Sequence, residues 1–204
     1  MTVTISRLYN SYSEAQEAVN ALEAAGVKHG DISIIASNAD DWYDAKKHTF
    51  PDRDFDGKDD RVEAAGAGAG LGAAAGGAVG AATGLGLMAI PGVGPVVAAG
   101  WLVATLVGAA AGAATGSVIG ALTQAGVSKD EAEIYAEGLR RGGAVVSARV
   151  ADAEAVRLQT VMDRSSVRIS DRASAYRGAG WKSFDPAGSP YTSDQVRKER
   201  ALYR

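Results

Sequence analysis

AAGAGAGLGAAAGGAVGAATGLGLMAIPGVGPVVAAGWLVATLVGAAAGAATGSVIGALTQAGVS, residues 64–128, holds no charged side chain and seventeen glycines. A soluble loop is more polar than this and a soluble core carries more large apolar residues, so this run decides how the chain is read. It divides at Ile90-Pro91-Gly92-Val93-Gly94-Pro95 into two arms. Gly68, Gly72, Gly76, Gly80 and Gly84 recur every fourth residue in the first arm; Gly100, Ala104, Gly108, Gly112, Gly116 and Gly120 do so in the second. On a helix that spacing makes a smooth strip along one face, where a second helix can approach backbone to backbone. The pattern predicts an α-helical hairpin over residues 64–126, closed by its own glycine zipper.

Each arm is long enough, at about 1.5 Å per residue, to cross a hydrocarbon core of about 30 Å. Glycine costs a helix in water about 1 kcal/mol per residue against alanine, whereas in a bilayer helix is obligatory because bare peptide groups are penalised. Leu71, Val79, Leu85, Leu87 and Met88 on one arm, and Trp101, Leu102, Leu106, Val118, Ile119 and Leu122 on the other, supply lipid-compatible outer faces. Arg53, Lys58, Arg61, Lys129, Arg140 and Arg141 flank the open end, which puts both ends on the cytoplasmic side. The alternative is a soluble homo-oligomer whose hairpins pack together in a shared core. Alanine and glycine bury little apolar area, so lipid partitioning by either arm is weak.

Outside the run the chain reads as a small α+β domain. Val3, Ile5 and Leu8 start a strand; Ser13 is the expected cap of a helix with Ala15, Ala18, Val19 and Leu22 on one face and Gly26 as its stop. Asp31–Ser37 follows as a strand. Ser128 and Glu131 form a capping-box pair before a helix carrying Ala132, Ile134, Tyr135 and Leu139, ended by Gly142-Gly143. A strand from Ala144 to Val150, a helix from about Ala153 to Met162 and a last strand at Ser166–Ser170 complete the reading. Two strand–helix–strand units side by side predict a ferredoxin-like four-stranded antiparallel sheet, with residues 1–37 plus 127–171 as the domain. Residues 38–63 are then an acidic linker and 64–126 an insertion. Residues 172–204 form a basic, mostly extended tail with a short helix from about Ser193, lying on lipid, on its own domain or on a neighbouring copy.

The strand–helix–strand opening with Ser13-Glu14-Ala15, the Ala/Gly run around Ile90–Pro95, the Gly126-Val127-Ser128 helix start and the Gly142-Gly143 strand entry are similar to bacterial general stress (heat-induced stress) proteins. The resemblance covers roughly residues 1–170 and its motifs are architectural. It implies a stress-linked protein and carries no active-site residues.

Asp52, Asp54, Asp56, Gly57, Lys58, Asp60 and Glu63 fit the twelve-residue calcium loop D-x-D-x-D-G-x₅-E. Carboxylates at alternate positions converge on one point; Lys58 offers its backbone carbonyl, Asp60 a water-mediated contact and Glu63 two oxygens to Ca2+. Asp59 stands where such loops place an apolar residue, and Pro51 interrupts the preceding helix. The other reading of these acids is a solvated linker that opens a helix, with Asp59, Asp60 and Glu63 at its positive end.

Net charge is −3, with an excess of acids before residue 64 and of bases after residue 171. That balance does not suit a nucleic-acid binder. The absence of cysteine excludes disulfides and thiolate metal sites and fits a reducing cytoplasm. Met1–Tyr9 alternates like a strand and is not expected to be a signal peptide. The two histidines, His29 and His48, sit in polar turn-like sequence, and the Gly-x-Gly patterns lack the strand and Lys-Ser/Thr of a phosphate loop. No catalytic residue and no small-molecule substrate is evident. The sequence thus predicts a non-enzymatic protein at the cytoplasmic side of the inner membrane or in the cytoplasm, associated with membrane lipid and self-assembling as a homo-oligomer; the alternatives are the soluble scaffold and a calcium-responsive regulatory protein.

Overall fold

Residues 1–43, 86–110 and 118–203 are described by a computed structural model. Strand β1, Thr2–Tyr9, turns Ile5 and Tyr9 to one side and Leu8 to the other. Helix α1, Tyr12–Ala24, is capped by Ser11, whose hydroxyl accepts the Glu14 N–H at 3.3 Å. The Glu14 carboxylate accepts from Asn10 N–H at 2.9 Å. These two bonds start the helix with Ser11 as its cap, two residues before the expected cap, Ser13. Gly26, at φ +97°, ends the turn after it, and β2, Ile32–Ser37, is buried along its whole length. Central strand β5, Ala144–Ala151, runs antiparallel to both β1 and β2. Helix α5, Asp152–Met162, joins α1 on one sheet face, over Ile5, Tyr9, Ile34, Ala36, Val146 and Ala148.

The fold is α+β, with seven helices among the described residues and one five-stranded antiparallel sheet of order β1-β5-β2-β4-β3. Its last two strands overturn the helical-hairpin expectation at the turn. Gly86–Ile90 is strand β3 and Gly94–Ala99 is strand β4, paired in register Leu87 with Val97 and Met88 with Val96. Gly92 (φ +74°) and Gly94 (φ +104°) take the left-handed conformations that a short β-hairpin loop needs. The Pro/Gly spacing that breaks a helix serves here to close two uncharged strands, Gly86–Ile90 and Gly94–Ala99.

The second arm is not one helix either. Gly100 is a bend at φ +93°, and only then does helix α2, Trp101–Ala110, begin. It packs against α3, Val118–Gln124. Ala104 and Gly108 lie within α2 and Gly120 within α3, while Gly100 is outside any helix. Gly68, Gly72, Gly76, Gly80, Gly84, Gly112 and Gly116 lie outside the described residues. Leu102, Leu106, Val118 and Leu122, expected on a lipid-facing surface, are buried in the protein's own second core. That core also takes Ile35, Ile90, Val96 and Val145 from the sheet and Ala132, Tyr135 and Leu139 from helix α4, Lys129–Arg140.

The expected strand at Ser166–Ser170 shrinks to one bridge, Val167 to Leu8, with Val167 N–H donating to Leu8 O at 2.7 Å. From Ile169 the chain is helix α6, Ile169–Gly178, whose Ala173 and Tyr176 pack on Ile134 of α4. The boundary expected at residue 172 therefore falls inside a helix. Helix α7, Ser193–Ala201, stands where a short helix was expected, opened by a full capping box between Thr192 and Gln195. At Ser128 only part of that motif forms: its Oγ accepts from Glu131 N–H and donates to the Glu131 carboxylate at 2.8 Å. No helix among the described residues is long and apolar enough to cross a membrane.

Gly100 is the tightest backbone crossing. A Cβ there would stand 2.2 Å from Ile32 O and 2.7 Å from Ser33 Cα. Ser33 Oγ in turn accepts the Leu102 N–H at 2.9 Å and holds the start of α2 against β2. Gly126 has a similar φ, +98°, but open space around it. Gly126→Ala should cost about 1 kcal/mol in urea unfolding, the conformational term alone. Gly100→Ala, which adds a backbone clash, should cost more than about 2 kcal/mol.

Candidate functional site

Among the described residues, the densest polar constellation forms where α4 ends. Glu137 lies on the buried face of that helix and is fully buried. Its Oε1 accepts from Arg140 Nη2 at 2.8 Å and from Arg141 Nε at 2.6 Å. Oε2 stands 2.7 Å from the same Arg140 nitrogen but receives no directed hydrogen bond, and Arg140 Nε has none either. Arginines three and four residues on reach back to one carboxylate by helical geometry, and both sit favourably at the negative helix end.

Around this ion cluster the end of the chain folds down. Arg141 Nη1 donates to Glu199 Oε1 of α7 at 3.1 Å, and its guanidinium lies 4.2 Å from the Tyr176 ring centre. Burial disfavours the Arg141 charge, but Glu137 and Glu199 more than offset it, so its pKa rises above the ordinary arginine value. Arg200 donates through Nη2 to Gly142 O at 2.7 Å and through Nη1 to Asp40 Oδ2 at 2.5 Å. Arg172 Nη2 donates to Asn10 Oδ1 at 2.6 Å, with its guanidinium 3.5 Å from the Tyr203 ring centre. Burial holds the Tyr176 hydroxyl protonated well above the usual tyrosine range. Val196 of α7 is fully buried against Gly142, where a Cβ would stand 2.3 Å from its Cγ1.

Between α6 and α7 the connecting arm crosses the β3–β4 loop. A Cβ on Gly92 would be 2.7 Å from Pro186 Cα, and one on Gly94 2.7 Å from Pro190 Cβ. Phe184 enters the second core and Gly188 passes beside Arg140. The arm thus lies on its own domain, one of the placements expected for the tail, and it seals the loop that divides the uncharged run.

What this arrangement does chemically is hold. The void among Tyr9, Asn10, Arg141, Arg172 and Tyr176 measures about 10 Å³, the room of a single water. A second, open groove of about 250 Å³ lies between the end of α1 and the start of α5, walled by Lys28, Asp31, Arg149, Glu154 and Arg157. Its charges are largely engaged: Arg157 with Glu154 and Ala25 O, and Arg149 with Asp31 and over the Trp101 ring. His29 is exposed and paired with Glu23 at 2.6 Å; His48 lies outside the described residues.

The calcium-loop residues Asp52, Asp54, Asp56, Lys58, Asp60 and Glu63 also lie outside the described residues, and among those described no group of three or more His, Cys, Asp or Glu is placed to hold a metal. Sequence reasoning missed Glu137, Arg172, Tyr176 and Arg200 and read Arg141 only as a charge flanking the uncharged run. The signal available was a Glu followed by Arg at positions three and four on a helix, with an Arg- and Tyr-rich end to the chain. Comparison with protein-family models, with curated proteins and with solved structures gives no match.

A buried ion cluster adds little net stability when intact but is costly to break. Removing one partner leaves the others' charge uncompensated. Glu137→Ala should therefore cost about 3–5 kcal/mol in urea unfolding. Glu154→Ala, in an exposed pair with Arg157, should cost no more than about 1 kcal/mol. Equal small losses would contradict the clamp.

Proposed function

We propose that this is a non-enzymatic scaffold protein that self-assembles as a homo-oligomer in the cytoplasm, in keeping with its likeness to bacterial general stress proteins. What favours it over a membrane-inserted protein is the burial of Leu102, Leu106, Val118 and Leu122 in the chain's own second core, under a C-terminal arm that clamps the loop before it. An apolar run committed to packing inside the domain has less left to offer a bilayer. Within the sheet we read β1, β5 and β2, with α1 and α5 across one face, as a ferredoxin-like core in which the Val167 bridge stands for the fourth strand. β3, β4, α2 and α3 extend that core and give it a second covered face.

A second reading, peripheral or inserted association with the inner membrane, is favoured by residues 64–85, which are uncharged and keep glycine at every fourth position. Fractionation and sizing separate the two. The scaffold reading expects the full-length protein in the soluble fraction, released by carbonate, and running as a discrete oligomer without detergent. Carbonate-resistant sedimentation with membranes would establish the second reading and overturn the first.

A further inference from the structure

β3 is the outermost strand of the sheet among the described residues, and its backbone says what can cover it. Asn38 N–H donates to Pro95 O at 2.8 Å, so Pro95 turns its carbonyl toward the β2 side. In the antiparallel ladder, positions then alternate: Gly86, Met88 and Ile90 bond to β4, while Leu87 and Ala89 direct their N–H and C=O groups away from the sheet. Leu87 is 43 % exposed and Ala89 is exposed, whereas Ile90 is buried and Met88 packs on the second core.

The two edges of the sheet are treated differently. Along β1, Val167 bridges to Leu8 and Arg7 pairs with Asp163. β3 itself carries none of the residues that keep an edge from pairing: no Lys, no Pro and no other charge within Gly86–Ile90.

We infer that β3 is a homodimerisation edge, pairing antiparallel with β3 of a second copy. The inference rests on the scaffold reading and supplies its mechanism. Only a strand can use two outward donors and two outward acceptors at this spacing, and an uncharged edge is matched by an uncharged strand, which the second copy has. A two-fold axis through Met88 sets Leu87 of each copy opposite Ala89 of the other and uses all four groups on both strands. Each exposed Leu87 then lies over a partner alanine, and the two sheets become one of ten strands. A five-residue edge is short of the roughly 1,000 Å² that a tight interface buries, so the pairing belongs to the concentration-dependent class.

The test is sedimentation velocity of the full chain over a concentration series without detergent. Ala89→Pro deletes an outward N–H that the β3–β4 ladder does not use, and Leu87→Lys places a charge on the exposed edge. The wild type should pass from monomer to dimer, and both variants should stay monomeric over the same range with unchanged far-ultraviolet dichroism. If Ala89→Pro unfolds, Leu87→Lys decides, since it changes only an exposed side chain. An assembly that persists in Leu87→Lys overturns the edge inference and leaves the scaffold reading intact. A wild type that is monomeric throughout removes both.

Discussion

An antiparallel sheet that is apolar on both faces needs two covering layers, and the second layer here comes from the uncharged run. One face is closed by α1 and α5 over Ile5, Ile34 and Val146. The other exposes Leu8, Ile35, Val96 and Val145, and α2 and α3 cover it together with α4. α2 and α3 contain one glycine each, a helix cost of about 2 kcal/mol together. Full burial of Leu102, Leu106, Val118 and Leu122 contributes roughly 2 kcal/mol apiece. Packing in the second core therefore outweighs poor helix propensity.

The remaining difficulty for such a layer is at its entry, because a segment crossing over a sheet must leave no peptide group bare. Gly100 lets the backbone touch β2 at Ile32, and the buried Ser33 hydroxyl accepts the Leu102 amide in the first turn of α2. Trp101 Nε1 donates to Asp31 O at 3.2 Å while Arg149 lies over its ring, which closes the same corner from the solvent side. At the opposite end of the hairpin the C-terminal arm presses on Gly92 and Gly94, and the Glu137–Arg141–Glu199 chain ties that arm to α4. The end of the chain is thus part of the second core's wall.

Much of the sheet's first face was legible from residue spacing, because alternation in β1 and β5 and the apolar faces of α1, α4 and α5 are local patterns. So was the short helix near Ser193, through its capping residues. The uncharged run was misread for a physical reason. Four-residue spacing of small side chains satisfies helix packing, but Gly92 and Gly94 equally satisfy a β-hairpin loop, and Val96-Val97 suits a strand as well as a helix. Which period wins is set by the neighbour: β2 offers β4 a ladder from Ser37 to Ile34, a contact no local pattern encodes. The arginine clamp was hidden in the same way, since Glu137 looks like one more surface acid until α6 and α7 fold over it. The calcium-loop acids and most of the first arm's glycines fall outside the described residues.

The burial of the run's second half is most directly read by amide hydrogen exchange on the full-length protein in detergent-free buffer. Residues 96–106 and 118–124 should be protected to the same degree as β5, the central strand. Rapid exchange across those residues in buffer, with protection appearing only when lipid vesicles are added, would contradict the account.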